Sequence, residues 1–406
     1  MPSINVESPI KIKNYIVPII VLSQFSGTSL WFAGNAVLQD LQQALVLENM
    51  VVSQVTSAVQ LGFIIGTLVF SFFTISDRFS PSRVFFACAL AGALTNLGVV
   101  FFVKSLPSLL LFRALTGFFL AGIYPVGMKI AADYQEKGLG KSLGYLVGAL
   151  VLGTALPHLL KGVSADLPWQ YVFIFTSSFA AFGGCLVGLL LPDGPYRKKS
   201  TQFNPTALFR VFQHRDFRAA AFGYFGHMWE LYTFWALIPF LLIFYNELHP
   251  QSITSISLWS FFIIAVGGPA CVLGGYLSQK WGNTRVASLA LSGSGICCLL
   301  SPLIFYLPTP IFLLFLLFWG MTVVADSPQF STLVAQRAPK EFAGTALTIS
   351  TSIGFAITIV SMQLLNGLTT WIAPSFLYLF LAPGPVLGLF FLHKKGATSG
   401  KQRAVD

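Results

Sequence analysis

Twelve long apolar runs, each closed by a short polar stretch, set the rhythm of the 406-residue chain. They lie near 15–38, 51–75, 83–103, 107–130, 141–162, 169–191, 217–245, 254–279, 284–307, 310–336, 343–367 and 371–392. The hydrocarbon core of a bilayer is about 30 Å thick and takes about 20 helical residues to cross. Each run is of that length. None shows the strict alternation of a barrel strand, and a backbone in lipid must satisfy its own hydrogen bonds, so the pattern predicts twelve membrane-spanning helices. The polar stretch PDGPYRKKSTQFNPT separates six runs from six. The predicted division is a tail over 1–14, a six-helix bundle over 15–191, a loop over 192–216, a second six-helix bundle over 217–392 and a tail over 393–406.

Composition sharpens this picture. Apolar residues make up 55% of the chain and charged ones 9%, against about 25% charged in soluble domains. The net charge of +10 would suit nucleic acid, but its distribution argues for something else. With the N-terminus on the cytoplasmic side and loops alternating, the inner side takes almost all the lysines and arginines. Lys104 and Lys161 alone fall outside, and Arg113 and Lys129 fall within a span. This is the positive-inside bias in strong form. It predicts an integral protein of the cytoplasmic membrane, surrounded by lipid, with both termini cytoplasmic and no nucleic-acid partner. The five cysteines all lie in apolar runs without metal-ligand spacing, so no metal site and no disulfide framework are expected. GLGKS at 138–142 ends like a phosphate loop, yet Gln135 stands where its first glycine belongs. Neither G-x-S-x-G nor H-E-x-x-H occurs. No enzyme and no cofactor are predicted.

An internal repeat follows. After the second run the chain reads SDRFSPSRVFF, and after the eighth GGYLSQKWGNTRVASL. Setting Asp77 over Gln279 aligns Arg78 with Lys280 and Arg83 with Arg285, which suggests two six-helix halves in parallel repeat. These loops resemble the inner-loop signature G-x-L-x-D-R-x-G-R-R of the major facilitator superfamily. Asp77 and Arg78 match its D-R pair, while Phe73 and Ser80 replace both glycines. The second copy keeps Gly275, Leu277, Lys280 and Gly282. In the fourth run RALTGFFLAG, with Arg113, Gly117 and Gly122, is similar to the family's arginine-glycine pattern. The resemblance implies an all-α fold of twelve spans in two bundles, acting as a secondary transporter. It also implies a cytoplasmic gate formed by Asp77, Arg78, Arg83, Lys280 and Arg285.

Helical spacing gathers polar and aromatic residues into stripes. Gln24, Thr28, Trp31 and Asn35 share a face of span 1, and Arg113, Gly117 and Tyr124 one of span 4. His227, Glu230 and Phe234 share a face of span 7, and Trp319, Thr322, Asp326 and Gln329 one of span 10. The resemblance implies that spans 1, 4, 7 and 10 line a central cavity, with Trp235 as a further aromatic wall. A carboxylate at a helix centre in lipid costs about 2.5–3.5 kcal/mol even on the lenient insertion scale. Glu230 and Asp326 are therefore expected to face water or a partner, and with His227 and Arg113 they are the candidates for substrate and proton coupling. An ion pair between Glu230 and Arg113 or Lys129 is the structural alternative. Lys129 is expected to snorkel to the interface unless Pro125 kinks its helix and turns it inward.

The predicted function is gradient-driven movement of a small organic solute by alternating access, coupled to protons in symport or antiport, by a monomer. The alternatives are a membrane-embedded enzyme or a transport-inactive receptor or scaffold, and, within transport, a uniporter or an efflux system for drugs or metals.

Overall fold

Three of the long apolar helices break beside a proline. The computed structural model describes residues 14–46, 51–134, 139–163, 167–197, 207–339 and 342–394. The outer parts of both tails, the lysines at 198–199 and Gln135 lie outside the described residues. Within them every regular element is helical. Span 1 is broken into Ile16–Thr28, Ala33–Ala36 and Leu38–Leu45. Spans 2 and 3 are Val51–Phe72 and Pro81–Phe102, and span 4 joins Leu106–Leu120 to Tyr124–Asp133. Spans 5 and 6 are Leu139–Val163 and Trp169–Leu190. Span 7, Arg215–Leu248, runs unbroken through Pro239. Span 8 joins Ile256–Ala265 to Gly267–Trp281, span 9 is Asn283–Leu300, and span 10 joins Thr309–Ala325 to Ser327–Arg337. Span 11 is Ala343–Leu368, and span 12 runs from Pro374–Leu377 through the turn Tyr378–Leu381 to Pro383–His393.

Ten of these helices are long and apolar enough to cross a membrane. The other two have local reasons for falling short. Span 1 is interrupted, its longest piece being 13 residues, and span 9 has 18 residues that include Asn283, Arg285 and two glycines.

The breaks in spans 4, 8 and 10 sit at prolines. A helical proline has no N–H to give the carbonyl four residues back, which frees the carbonyls of Ala121, Ala265 and Val324 ahead of Pro125, Pro269 and Pro328. At span 10 the Cys271 thiol donates to the Val324 carbonyl at 3.2 Å, replacing the missing bond. Span 1 breaks over residues 29–32 without a proline, and its carbonyls depend on a distant side chain described below.

Close packing of the spans rests on glycine. A Cβ on Gly117 of span 4 would strike the Val59 carbonyl of span 2, and one on Gly320 of span 10 would strike the Ile263 carbonyl of span 8. The two crossings are equivalent positions, separated by nearly the same spacing as the loop repeat. The repeat read from the loops thus extends to the way helices touch. Spans 1–6 form one bundle and spans 7–12 the other. They meet chiefly where span 2 lies along span 11 and span 5 along span 8.

Candidate functional site

Between the bundles lies a cavity of about 970 Å³, lined by residues of both halves. Its mouth carries Asp77, Lys129, Lys141, Gln279 and Gln336 and opens at the end where Arg78, Arg83, Lys280 and Arg285 stand exposed. We call this end the basic face. Deeper, the walls are Thr67 of span 2, Tyr124 of span 4, Tyr224 and Met228 of span 7, Ser327, Ser331 and Thr332 of span 10, and Thr351 of span 11. The ceiling is Tyr232 and Phe355.

Above the ceiling the halves are sealed by aromatic rings. Trp31 stacks on Tyr232 and on Phe355, each with ring centroids 5.5 Å apart. Phe63 packs on Phe355 at 4.6 Å, and Phe32 meets Trp235 edge-on at 6.3 Å. Trp31, Phe32, Phe63 and Trp235 are fully buried. Trp31, Phe32 and Phe63 come from the N-terminal half, and Tyr232, Trp235 and Phe355 from the other. Aromatic pairs of this kind add about 0.5–1.5 kcal/mol each beyond the area they bury.

The ionisable residues expected in the cavity are turned away from it. On span 7 the cavity side is formed by Tyr224, Met228, Leu231 and Tyr232, so His227 and Glu230 look into the C-terminal bundle. There Glu230 Oε1 accepts from Trp319 Nε1 at 2.7 Å and from the Cys298 thiol at 3.3 Å. His227 Nδ1 lies 2.9 Å from Asp326 Oδ1, both residues being buried. The two acids are not locked to each other; each has its own partner behind the cavity wall. The wall is thin at one point, where the Tyr224 ring lies 6.1 Å from that of His227.

Arg113 is also withdrawn. Fully buried in the N-terminal bundle, its Nη2 donates to the carbonyls of Leu30 and Trp31 at 2.9 and 2.6 Å, and its Nη1 to Asn96 Oδ1 at 2.7 Å. Asn96 in turn donates to Thr176 and Ser177 of span 6. The guanidinium thus serves the carbonyls that the break in span 1 leaves open, and forms no ion pair with Glu230.

The remaining stripe residues divide between cavity, seal and bundle interior. Tyr124 lines the cavity, while Trp31 and Trp235 belong to the seal. Gln24 is buried against Gly127, and Thr28 donates back to the Gln24 carbonyl at 2.8 Å. Asn35 donates to Thr56 at 2.7 Å. Phe234 stacks on Trp319 at 4.5 Å, Thr322 donates to the Phe318 carbonyl at 3.1 Å, and Gln329 packs against Gly274 of span 8. Thr28, Asn35 and Thr322 find acceptors inside the bundles, as buried polar groups generally do, whereas the Gln24 amide and Gln329 Oε1 are buried there without a partner among the described residues.

Among the loop charges, Asp77 pairs with Lys129 at 2.7 Å across the mouth of the N-terminal half. The break between Leu120 and Tyr124 turns Lys129 inward to reach it. Arg78 Nε donates to Thr74 at 3.1 Å; Arg83, Lys280 and Arg285 are exposed and do not line the cavity. Residues that sequence reasoning missed are Tyr224, Met228, Tyr232, Thr351 and Phe355. Tyrosine, methionine and phenylalanine count as apolar in a hydropathy pattern, so only their helical register with Tyr124-like aromatics would have drawn attention to them.

The family model of the Major Facilitator Superfamily matches residues 19–362. The chain belongs to that superfamily of membrane transporters. No curated protein matches the chain in sequence. Solved structures of superfamily type share its fold at low identity. The proton:xylose symporter XylE bound to 6-bromo-6-deoxy-D-glucose is 15% identical, with a TM-score of 0.73 over 94% of this chain and 96% of that one. The human organic anion transporter MFSD10 is 16% identical, with a TM-score of 0.70 over 93% and 98%. The nucleoside transporter NupG is 14% identical, with a TM-score of 0.68 over 93% and 99%. The superfamily assignment, ten apolar helices and a cavity between two bundles together make this an integral membrane transporter.

Proposed function

We propose that the protein is a proton-coupled secondary transporter of a small organic solute that works by alternating access. The observation that carries the reading is the cavity between the halves, open at the basic face and closed at the other by a seal to which both halves contribute. Rocking one bundle against the other would part that seal and close the mouth. The concentration of lysine and arginine at the open face supports a cytoplasmic membrane setting in which this conformation faces inward. Coupling is assigned to Asp326 with His227 and to Glu230, the carboxylates held at mid-depth in the C-terminal bundle. They are one residue's thickness from the cavity, and a proton gained or lost there would change what Tyr224 and Trp319 can hold in place. Asp77 and Lys129 are assigned to the gate at the mouth.

Purified protein in liposomes loaded with a pH-sensitive dye tests this. Solutes added one at a time should drive proton movement in the wild type, and Asp326→Asn should retain solute exchange while losing accumulation against a gradient. Accumulation that survives both Asp326→Asn and Glu230→Gln would remove the two acids from coupling. Solute flux indifferent to an imposed pH gradient would point to uniport.

A further inference from the structure

We infer that the cavity takes an uncharged, hydroxyl-bearing solute with one flat apolar face, such as a glycoside or a nucleoside. The inference rests on the transport reading only for its biological use; as a statement about binding it stands on the cavity alone.

Charge is missing from the deep part of the cavity. The charged lining residues are Asp77, Lys129 and Lys141, all at the mouth. Asp77 and Lys129 neutralise each other at 2.7 Å, and the Lys141 ammonium sits 4.7 Å above the Tyr276 ring. Glu230, Asp326 and Arg113 are engaged behind the walls. A carboxylate, phosphate or ammonium carried to the ceiling would lose its water and meet no counter-charge, and a buried ion without a partner is strongly disfavoured.

Hydroxyls are present instead. The buried Thr67 hydroxyl has no hydrogen-bond partner among the described residues, and Tyr124 and Tyr232 line the same cavity. Tyr224 and Thr351, whose side chains are hydrogen-bond partners, line the cavity together. Each of these groups both donates and accepts, which matches the hydroxyls of a sugar or ribose. The ceiling rings of Tyr232 and Phe355, with centroids 5.1 Å apart, are largely buried in the seal, and their edges close the cavity with an apolar end against which the flat face of a pyranose or a base rests. A volume of about 970 Å³ accommodates a solute of this size with water at the mouth, ligand pockets ranging over about 300–1,000 Å³.

Calorimetric titration of the purified protein with two matched pairs of probes tests the inference. The pairs are phenyl β-glucoside with phenyl β-glucuronide, and uridine with uridine monophosphate. Within each pair the compounds differ by one anionic group. At least one neutral probe should bind, and its charged counterpart at least about tenfold more weakly. Tyr124→Phe and Thr351→Val should each weaken the neutral probe about three- to tenfold, the range expected for one lost hydrogen bond, with no change in thermal midpoint. Equal or tighter binding of the charged member, no binding by either neutral probe, or full affinity in both variants would overturn it. Counterflow of the same probes in liposomes separates this inference from the transport reading. Binding without flux sinks transport and spares the site assignment, whereas flux confined to charged solutes does the reverse.

Discussion

Glu230 sits at mid-depth in span 7, and what tolerates it there is an indole. A lone carboxylate in that position would be costly, but Trp319 Nε1 donates to it at 2.7 Å with the Cys298 thiol as a second donor. Glu230→Gln keeps an acceptor for the indole, so its thermal midpoint should stay near wild type. Glu230→Leu strands the buried N–H and should cost about 1–3 kcal/mol in a detergent unfolding titration. A smaller loss for Leu than for Gln would count against the indole bond. Arg113 allows a harder test. Arg113→Ala leaves the Leu30 and Trp31 carbonyls and Asn96 without their donor, and should lower stability by at least about 2 kcal/mol. That both residues needed partners was legible in the sequence, from charge at membrane depth. Which partners could not be read, because a tryptophan N–H and two backbone carbonyls leave no mark in a pattern of polar and apolar letters. Spacing put Glu230 and His227 on a common face correctly, yet could not tell a face turned to a cavity from one turned into a bundle.

At the scale of helices, the twelve runs were readable because lipid thickness imposes a length, while their ends were not: span 9 stops at Leu300 rather than near 307, and span 1 continues in pieces to Leu45. Pro125 marked the place where span 4 divides, and the inward turn of Lys129 follows from it. Span 1 divides with no such marker, since its freed carbonyls are served by Arg113 from span 4. Pro125→Ala restores a donor to the Ala121 carbonyl and should straighten span 4, drawing Lys129 from Asp77. Cross-linking with a bifunctional thiol reagent of about lysine length follows that separation. The yield in a variant carrying both Asp77→Cys and Lys129→Cys, freed of native cysteines, should fall when Pro125→Ala is added. Glycine gives a second test at this scale. Gly320→Ala forces a methyl group into the Ile263 carbonyl and should lower the thermal midpoint by several degrees. Gly344→Ala, where a Cβ meets nothing within 4 Å, should leave it unchanged. Equal effects would mean that span 10 does not press on span 8 as described.

For the whole molecule, charge asymmetry announced a polarity across the membrane, but nothing in the sequence said which end stands open. That depends on rings from Trp31, Phe63, Tyr232 and Phe355, distant in the chain, finding one another. Ser331 faces the cavity below them. In a background freed of native cysteines, Ser331→Cys should react with a membrane-impermeant maleimide applied to the basic face and resist it from the other. Equal reactivity from both faces would contradict the seal. Arg113 gives this seal a built-in seam. By gripping the backbone at Leu30 and Trp31, it makes the Trp31 indole a fixture of spans 1–6. Under the proposed alternating access, a swing of the bundles would cleave the stack between Trp31 and its neighbours Tyr232 and Phe355. Each bundle would then carry off its own aromatic plate, and a solute entering from the far side would be met by a ready-made slot between them.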